Sequence, residues 1–170
     1  MNGPIYKFFT NDHRRIEQLL DKATEKPGEI AMEYYSQFRT GLLTHIKMEE
    51  NVLFVAAQKA RGGMPLPIVA ALRLDHGALT ALMVPMPSTP IIKALRYILE
   101  KHDILEEKTG GMYDECESLD KIEVDGLLAT LHNTTPVPVH PHNNSPQILE
   151  ATKRALARAG YNFDDFVDPT

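Results

Sequence analysis

Apolar residues recur at three- and four-residue steps through most of the chain, which is the spacing of one face of an α-helix. Four long segments follow this pattern and predict helices at about residues 5–26, 29–61, 66–83 and 90–109. Short stretches rich in glycine and proline separate these segments and end each helix. Nowhere does the chain alternate in the way that is typical of a β-strand. The sequence therefore predicts an all-α fold built on a four-helix bundle.

The C-terminal part of the chain predicts an extension to this bundle. Ser145-Pro146 is typical of an N-cap followed by a first-turn proline, and the helix that begins there should end at Gly160. Its amphipathic face is expected to pack on the bundle or on a second subunit. A short helix over 120–131 and a loop over 133–145 should precede it. We predict one bundle domain over 1–118 and a helical extension over 119–170 that is not an independent domain.

Composition and charge exclude several classes of partner. The chain has 170 residues, of which 43% are hydrophobic, and this fits one domain with a substantial core. The net charge is −5 and lysine and arginine form no run, so neither a nucleic acid nor a membrane surface is favoured. Cys116 is the single cysteine, which excludes an internal disulfide. Because the N-terminus does not resemble a signal peptide and no apolar run could span a membrane, we expect a cytoplasmic protein.

Two of the predicted helices carry the same pair of ionisable residues on their apolar face. The pairs are His45 with Glu49 and His102 with Glu106, both spelled His-x-x-x-Glu. Residues four apart in a helix lie one turn apart on the same side. Each pair can therefore hold one metal ion or face two adjacent ions. A single pair of this kind is, by default, a helix-stabilising surface contact, but two copies on separate helices favour a shared role.

The other two helices each place a histidine on the apolar face, His13 in the first and His76 in the third. Taken singly, such a histidine is more often a core residue than a ligand. Four imidazoles and two carboxylates facing one interior would each cost on the order of several kcal/mol if ionised and unpaired, and a cation offsets that cost. Nitrogen and oxygen ligands without thiolate favour iron, manganese or zinc, and six ligands are too many for one tetrahedral zinc. The sequence predicts a dinuclear metal site in a bundle core.

The order and the local spelling of these residues resemble the hemerythrin-like domain, also called the HHE cation-binding domain. The matching stretches are Asp-His-Arg-Arg-Ile at 12–16, His45 to Phe54, and Asp75-His76, and the resemblance spans roughly residues 5–115. It implies an up-down-up-down bundle that holds a non-haem di-iron centre with an oxo or hydroxo bridge. By the same resemblance, the bridging carboxylates are Glu49 and Glu106, and the terminal ligands are His13, His45, His76 and His102.

The chain departs from the oxygen-carrying members of this family at one position. Those members have two histidines four apart on the third helix, whereas here Leu72 stands four residues before His76. The second carboxylate motif is also shorter than the carriers' His-to-Asp spacing. Glu17 and Tyr113 lie near the ligand faces and are candidates to fill the gap. A surface position for Glu17 and a core or hydrogen-bonding role for Tyr113 are the simpler interpretations.

The leading hypothesis is a di-iron protein of hemerythrin type that binds or senses dioxygen or a related small diatomic molecule. A di-iron oxidase or peroxidase, or an iron-handling protein, is the alternative, and a purely structural metal is a third. A homo-oligomer is compatible with the sequence. His140 and His142 indicate a flexible loop rather than a metal site. The acidic neighbours of Cys116 should raise its pKa and leave the thiol inactive.

Overall fold

In the computed structural model, which describes residues 3–169, every regular element is helical, and the predicted all-α class is confirmed for that part of the chain. No helix among these residues is long and apolar enough to cross a membrane. A π-helical turn, Glu49–Leu53, joins the second helix to the third, and a 3-10 helix, Phe163–Phe166, follows the last. The α-helices are α1 Pro4–Ala23, α2 Met32–Met48, α3 Phe54–Ala60, α4 Val69–Leu82, α5 Thr89–Glu107, α6 Met112–Glu117, α7 Val124–His132 and α8 Pro146–Arg158.

Helix α1 buries the apolar face that its sequence predicts. The buried side chains recur at steps of three and four, and they are Ile5, Phe9, His13, Ile16, Leu20 and Ala23. The predicted end at residue 26 is too late, because the chain leaves the helical conformation at Thr24, whose hydroxyl donates to the Leu20 carbonyl at 2.8 Å. Helix α1 packs on α2 and also contacts α6 and α7. His13 lies on this buried face and consequently points inward.

The segment predicted as one helix over 29–61 begins at Met32 and is interrupted by the π-turn. Within the turn the Phe54 N–H donates to the Glu49 carbonyl, five residues earlier, so the turn holds one residue more than an α-helical turn. The buried face moves along the chain by one position as a result. Leu53 and Ala57 are buried, whereas the three- and four-residue spacing of an unbroken helix predicts Val52 and Ala56 on that face.

The chain divides into two compact units. The first comprises the chain up to Val69 together with Asp103–Val139, and the second comprises Ala70–His102 together with the chain from His140 onward. The division falls within α5, immediately after His102. The expected C-terminal extension contributes residues to both units, and the domain boundary at residue 118 stays a prediction. Helix α5 ends at Glu107, two residues before the predicted end at residue 109, and Thr109 is exposed.

Helix α8 forms where the Ser145-Pro146 signal predicts it and packs within the second unit. Its buried face contains Thr152, Ala155 and Leu156. The Thr152 hydroxyl donates to the Ala81 carbonyl of α4 at 3.1 Å. The amphipathic face was expected to pack on the bundle or on a second subunit. These contacts support packing on the chain's own helices.

Candidate metal centre

Four of the six predicted ligands meet in the first unit. They are His13 from α1, His45 from α2, Glu49 from the π-turn and Glu106 from the end of α5, and none is more than 5% exposed. Each offers one ligand atom, and these four atoms all lie within 4.8 Å of one another. Three separate stretches of chain thus bring two imidazoles and two carboxylates to one buried point.

The distances among these four side chains fit a shared cation. The Nε2 atoms of His13 and His45 lie 3.0 Å apart. His13 Nε2 lies 3.3 Å from Glu106 Oε2, and His45 Nε2 lies 3.5 Å from Glu49 Oε1. Two donors that are each about 2.1 Å from one ion are about 3.0–3.4 Å apart for bond angles between octahedral and tetrahedral. Nitrogen and carboxylate oxygen donors of this kind suit iron, manganese or zinc.

A carboxylate fixes the outer nitrogen of each of these two histidines. Glu107 Oε1 lies 2.6 Å from His13 Nδ1, and Asp12 Oδ2 lies 2.9 Å from His45 Nδ1. Ionised carboxylates only accept hydrogen bonds, so both Nδ1 atoms donate. Each Nε2 atom is thereby the one that faces the cluster. Metal-ligating histidines characteristically have their second nitrogen held in this way. Asp12 is held in turn by Arg15 at the protein surface, which donates a hydrogen bond to it at 2.8 Å.

The cluster attracts positive charge. Burial alone would lower the pKa of His13, but hydrogen bonds to Glu106 and Glu107 and the nearby Asp103 raise it to about 10. The pKa of His45 is also raised, because the neighbouring carboxylates outweigh the opposing effect of its burial. With both Nδ1 atoms donating, at least one Nε2 atom must carry a proton for their contact to be attractive. A metal cation can supply the same positive charge in place of that proton.

Tyr113 of α6 stands among the ligands. Its hydroxyl lies 2.7 Å from Glu49 Oε1, 2.9 Å from Glu106 Oε2 and 3.1 Å from His13 Nε2. The ring stacks on Phe9 with centroids 5.0 Å apart. Burial and the two glutamates raise the pKa of the phenol well above its usual value, so it remains a hydrogen-bond donor. The hydrogen-bonding interpretation of Tyr113 is confirmed.

The remaining two predicted ligands, His76 of α4 and His102 of α5, lie together in the second unit. They are 4% and 3% exposed, and their ring centroids are 4.9 Å apart. Asp75 Oδ2 lies 3.3 Å from His102 Nδ1, which repeats the carboxylate contact that His45 has in the first unit. Glu106 follows His102 by one turn of α5.

The sequence contains a partial signal for the carboxylates that hold these histidines. Asp12 and Asp75 each precede a predicted ligand in an Asp-His pair. Each contacts a different histidine instead: Asp12 contacts His45, and Asp75 contacts His102. Both of these histidines belong to a His-x-x-x-Glu pair on the next long helix. The repeated Asp-His spelling could have indicated this role. Glu107 has no comparable spacing, and its contact with His13 follows only from how the helices pack.

The other residues considered from the sequence lie outside the cluster. Glu17 forms an ion pair with Arg14, and its side chain is 40% exposed. His140 is exposed, as expected for a loop residue. The pKa of the Cys116 thiol is raised, first by burial and then by acidic residues, so the predicted direction of this shift is confirmed.

Comparison with known protein families supports a metal-binding role. Residues 5–86 match the family model described as hemerythrin HHE cation binding domain, so the predicted resemblance is confirmed over these residues. The matched segment runs from α1 through α4 and contains His13, His45, Glu49 and His76. Comparisons with curated proteins and with solved structures gave no match. A cation-binding family and a buried cluster of histidine and glutamate side chains together indicate that the chain binds metal.

Proposed function

We propose that this chain, whose residues 5–86 are a hemerythrin HHE cation-binding segment, holds two iron ions and uses them to bind or sense dioxygen or a related small diatomic molecule. The observation that carries the proposal is the buried cluster in the first unit, in which carboxylates hold both Nδ1 atoms and both Nε2 atoms face two glutamates. The proposed ligands are His13, His45, Glu49, His76, His102 and Glu106.

In this proposal the two ions have different histidines. His13 and His45 would hold one ion and His76 and His102 the other, and the two glutamates would be shared between the ions of an oxo- or hydroxo-bridged centre. Two observations support the second ion. The rings of His76 and His102 are in contact, and Asp75 holds the outer nitrogen of His102. The arrangement requires the long helices to form an up-down-up-down bundle, which is part of the proposal. Manganese or zinc would accept the same ligands.

The residues around the ligands suit the binding of a small apolar molecule. Iron, when bound, supplies the electrons that reversible binding of dioxygen requires. Leu72 is fully buried one turn before His76 and has no metal-ligating atom, so it would supply no ligand there and an external molecule could bind instead. Phe9 is also fully buried, and its ring covers His45 and Tyr113 at the cluster. The Tyr113 hydroxyl provides a hydrogen bond at the carboxylates.

Anaerobic reconstitution with ferrous iron tests the premise that the candidate functions share. We expect two equivalents of iron per chain after unbound metal is removed, and substantially less would contradict the dinuclear site. Dioxygen is then admitted to the reduced protein. A change in visible absorption that reverses when the gas is removed supports binding or sensing. An unchanged spectrum supports a metal with a structural role only.

A di-iron oxidase or peroxidase is the second candidate, and Tyr113 is the observation that favours it. Its phenol lies within hydrogen-bond distance of both glutamates, where it could also donate a hydrogen bond to a reduced oxygen product. The raised pKa keeps the phenol protonated, so this hydrogen-bond donor is always present. Irreversible oxidation with turnover of hydrogen peroxide in the same experiment would select this enzyme function over reversible binding.

A further inference from the structure

A tyrosine near the C-terminus, Tyr161, is connected to His102 through one carboxylate. The Tyr161 hydroxyl donates to Asp75 Oδ1 at 2.9 Å. The other oxygen of the same carboxylate, Oδ2, lies 3.3 Å from His102 Nδ1. Asp75 is 5% exposed and His102 is 3% exposed, so the connection is largely shielded from water. Phenol, carboxylate and imidazole form a continuous chain inside the second unit.

The end of α8 determines where Tyr161 lies. Gly160 has a φ of +88°, and the Tyr161 N–H donates to the Leu156 carbonyl at 2.9 Å. This is the Schellman pattern of a helix C-terminus, and its left-handed residue favours glycine. The same helix is held on α4 by the Thr152 hydroxyl, which donates to the Ala81 carbonyl. The position of Tyr161 is therefore fixed by a helix end and not by a free loop.

Aromatic neighbours pack beside the Tyr161 ring. Tyr97 meets it edge to face with ring centroids 6.2 Å apart, and Phe166 in turn contacts Tyr97 with centroids 5.5 Å apart. Burial and the adjacent Asp75 raise the pKa of the Tyr161 phenol, so this group remains protonated. Tyr161 can therefore act as a constant donor to Asp75.

We propose that Tyr161 is a positioning residue of the metal centre, which acts on His102 through Asp75. This rests on the proposed function, because it takes His102 as a metal ligand. An Asp75 carboxylate that accepts from Tyr161 is held in one orientation and presents less of its charge to the imidazole. The segment after residue 86, which lies outside the family match, would then help to tune the centre.

Tyr161→Phe tests this role, with Tyr97→Phe as the matched control. Both remove one phenolic hydroxyl from the same aromatic group, but only Tyr161 donates to Asp75. Each full-length variant is titrated with ferrous iron without oxygen, and its reduction potential is measured. For Tyr161→Phe we expect binding of one of the two ions to weaken by about tenfold, the lower end of the range for lost outer hydrogen bonds, because Asp75 is no longer held in one orientation. We also expect a lower potential, because more of the Asp75 charge reaches His102. The control should match the unmodified chain.

Asp75→Asn provides a second, independent test with the opposite sign. Its neutral side chain places no charge on His102, so the reduction potential should rise where that of Tyr161→Phe falls. Shifts in the same direction would overturn the proposal. So would an affinity loss in Tyr161→Phe without a change in potential, since that would reveal a structural contribution alone.

The outcomes also separate this inference from the proposed function. If the unmodified chain binds fewer than two ions, the proposed dinuclear site is wrong. If it binds two and Tyr161→Phe is unchanged in both affinity and potential, only the role of Tyr161 is wrong.

Discussion

His13 and His45 face each other through their Nε2 atoms at 3.0 Å, while each ring donates from Nδ1 to a different carboxylate. A neutral imidazole has one N–H group, and in each of these two rings it points away from the other ring. Only an additional cation, a proton or a metal ion, makes the contact between the two inner nitrogens favourable. The two Nε2 atoms and the neighbouring glutamates therefore form a small buried site that favours a bound positive ion.

Removal of a proposed ligand should reduce metal binding by more than half, whereas removal of a loop histidine should not change it. His45→Ala and Glu106→Ala each delete a buried atom that we propose as a ligand, and we expect both variants to retain less than half of the metal bound by the unmodified chain. His140→Ala changes an exposed residue and should retain all of it. Elemental analysis after reconstitution provides the measurement. Full occupancy in either ligand variant would contradict the assignment of that residue.

Asp12→Asn should weaken metal binding although Asp12 is not a proposed ligand. The asparagine oxygen can still accept from His45 Nδ1, but the negative charge that strengthens the imidazole as a donor is lost. Loss of such an outer partner weakens metal affinity by about 10–100-fold. Competition with a chelator of known affinity measures the change. Asp125→Asn on the exposed side of α7 removes the same charge and should leave the affinity as it was. Equal affinities for the two variants would contradict this prediction.

The sequence predicted the apolar faces well where a helix is regular, and it failed at the π-turn for an identifiable reason. Val52 and Leu53 are both apolar, and so are Ala56 and Ala57. A shift of one residue therefore leaves the hydrophobic pattern intact. Only the hydrogen bond from Phe54 to Glu49 reveals the extra residue. Periodicity indicates that a face exists, but neighbouring apolar residues hide small changes in its register.

The candidate ligands were predictable because a histidine or glutamate on an apolar face is unusual by itself. Their outer partners were not, because Asp12 and Glu107 lie at positions of intermediate burial that give no such contrast. Tyr113 reaches the cluster only because the chain turns sharply after α5. A side chain at Gly111 would come within 2.6 Å of the Leu105 carbonyl, so this turn requires glycine. Contacts of this kind depend on packing between helices, which spacing within one helix does not encode.

The stability of the metal-free protein should fall between about pH 6.5 and pH 10. The pKa of His13 is about 10 in the folded protein and 6.5 without its neighbours. Its bound proton therefore stabilises the folded state fully below pH 6.5, and this contribution is lost as the pH rises through 10. Metal binding releases the same proton, so metal affinity should increase over that range. Thermal unfolding of metal-free and metal-loaded protein at a series of pH values measures both effects.

His13→Gln is the control for this pH dependence, because glutamine does not titrate. Its metal-free form should show a flatter dependence of melting temperature on pH above 6.5. A metal-free parent protein whose melting temperature stays constant or rises from pH 7 to pH 10 would contradict the assigned role of the His13 proton.

Tyr113→Phe should destabilise the metal-free protein more than the metal-loaded protein. The substitution keeps the ring that stacks on Phe9 and removes the phenolic hydroxyl that donates to Glu49 and Glu106. Loss of a buried hydrogen bond to a charged group costs about 1–3 kcal/mol in the free energy of unfolding. A metal ion compensates the two carboxylates directly, so its presence should reduce that loss. Urea unfolding with and without metal measures the difference.

Tyr6→Phe is the matched control for the loss of the Tyr113 hydroxyl. Its ring meets Tyr113 edge to face with centroids 6.3 Å apart, and its side chain is only partly buried. We expect its unfolding free energy to change by less than about 0.5 kcal/mol, as for most substitutions near the surface, whether or not metal is present. If Tyr113→Phe lost the same stability in both states, its hydroxyl would have a packing role that is independent of the ligands. The difference between the two states therefore measures how far Tyr113 and the metal compensate the same buried carboxylates.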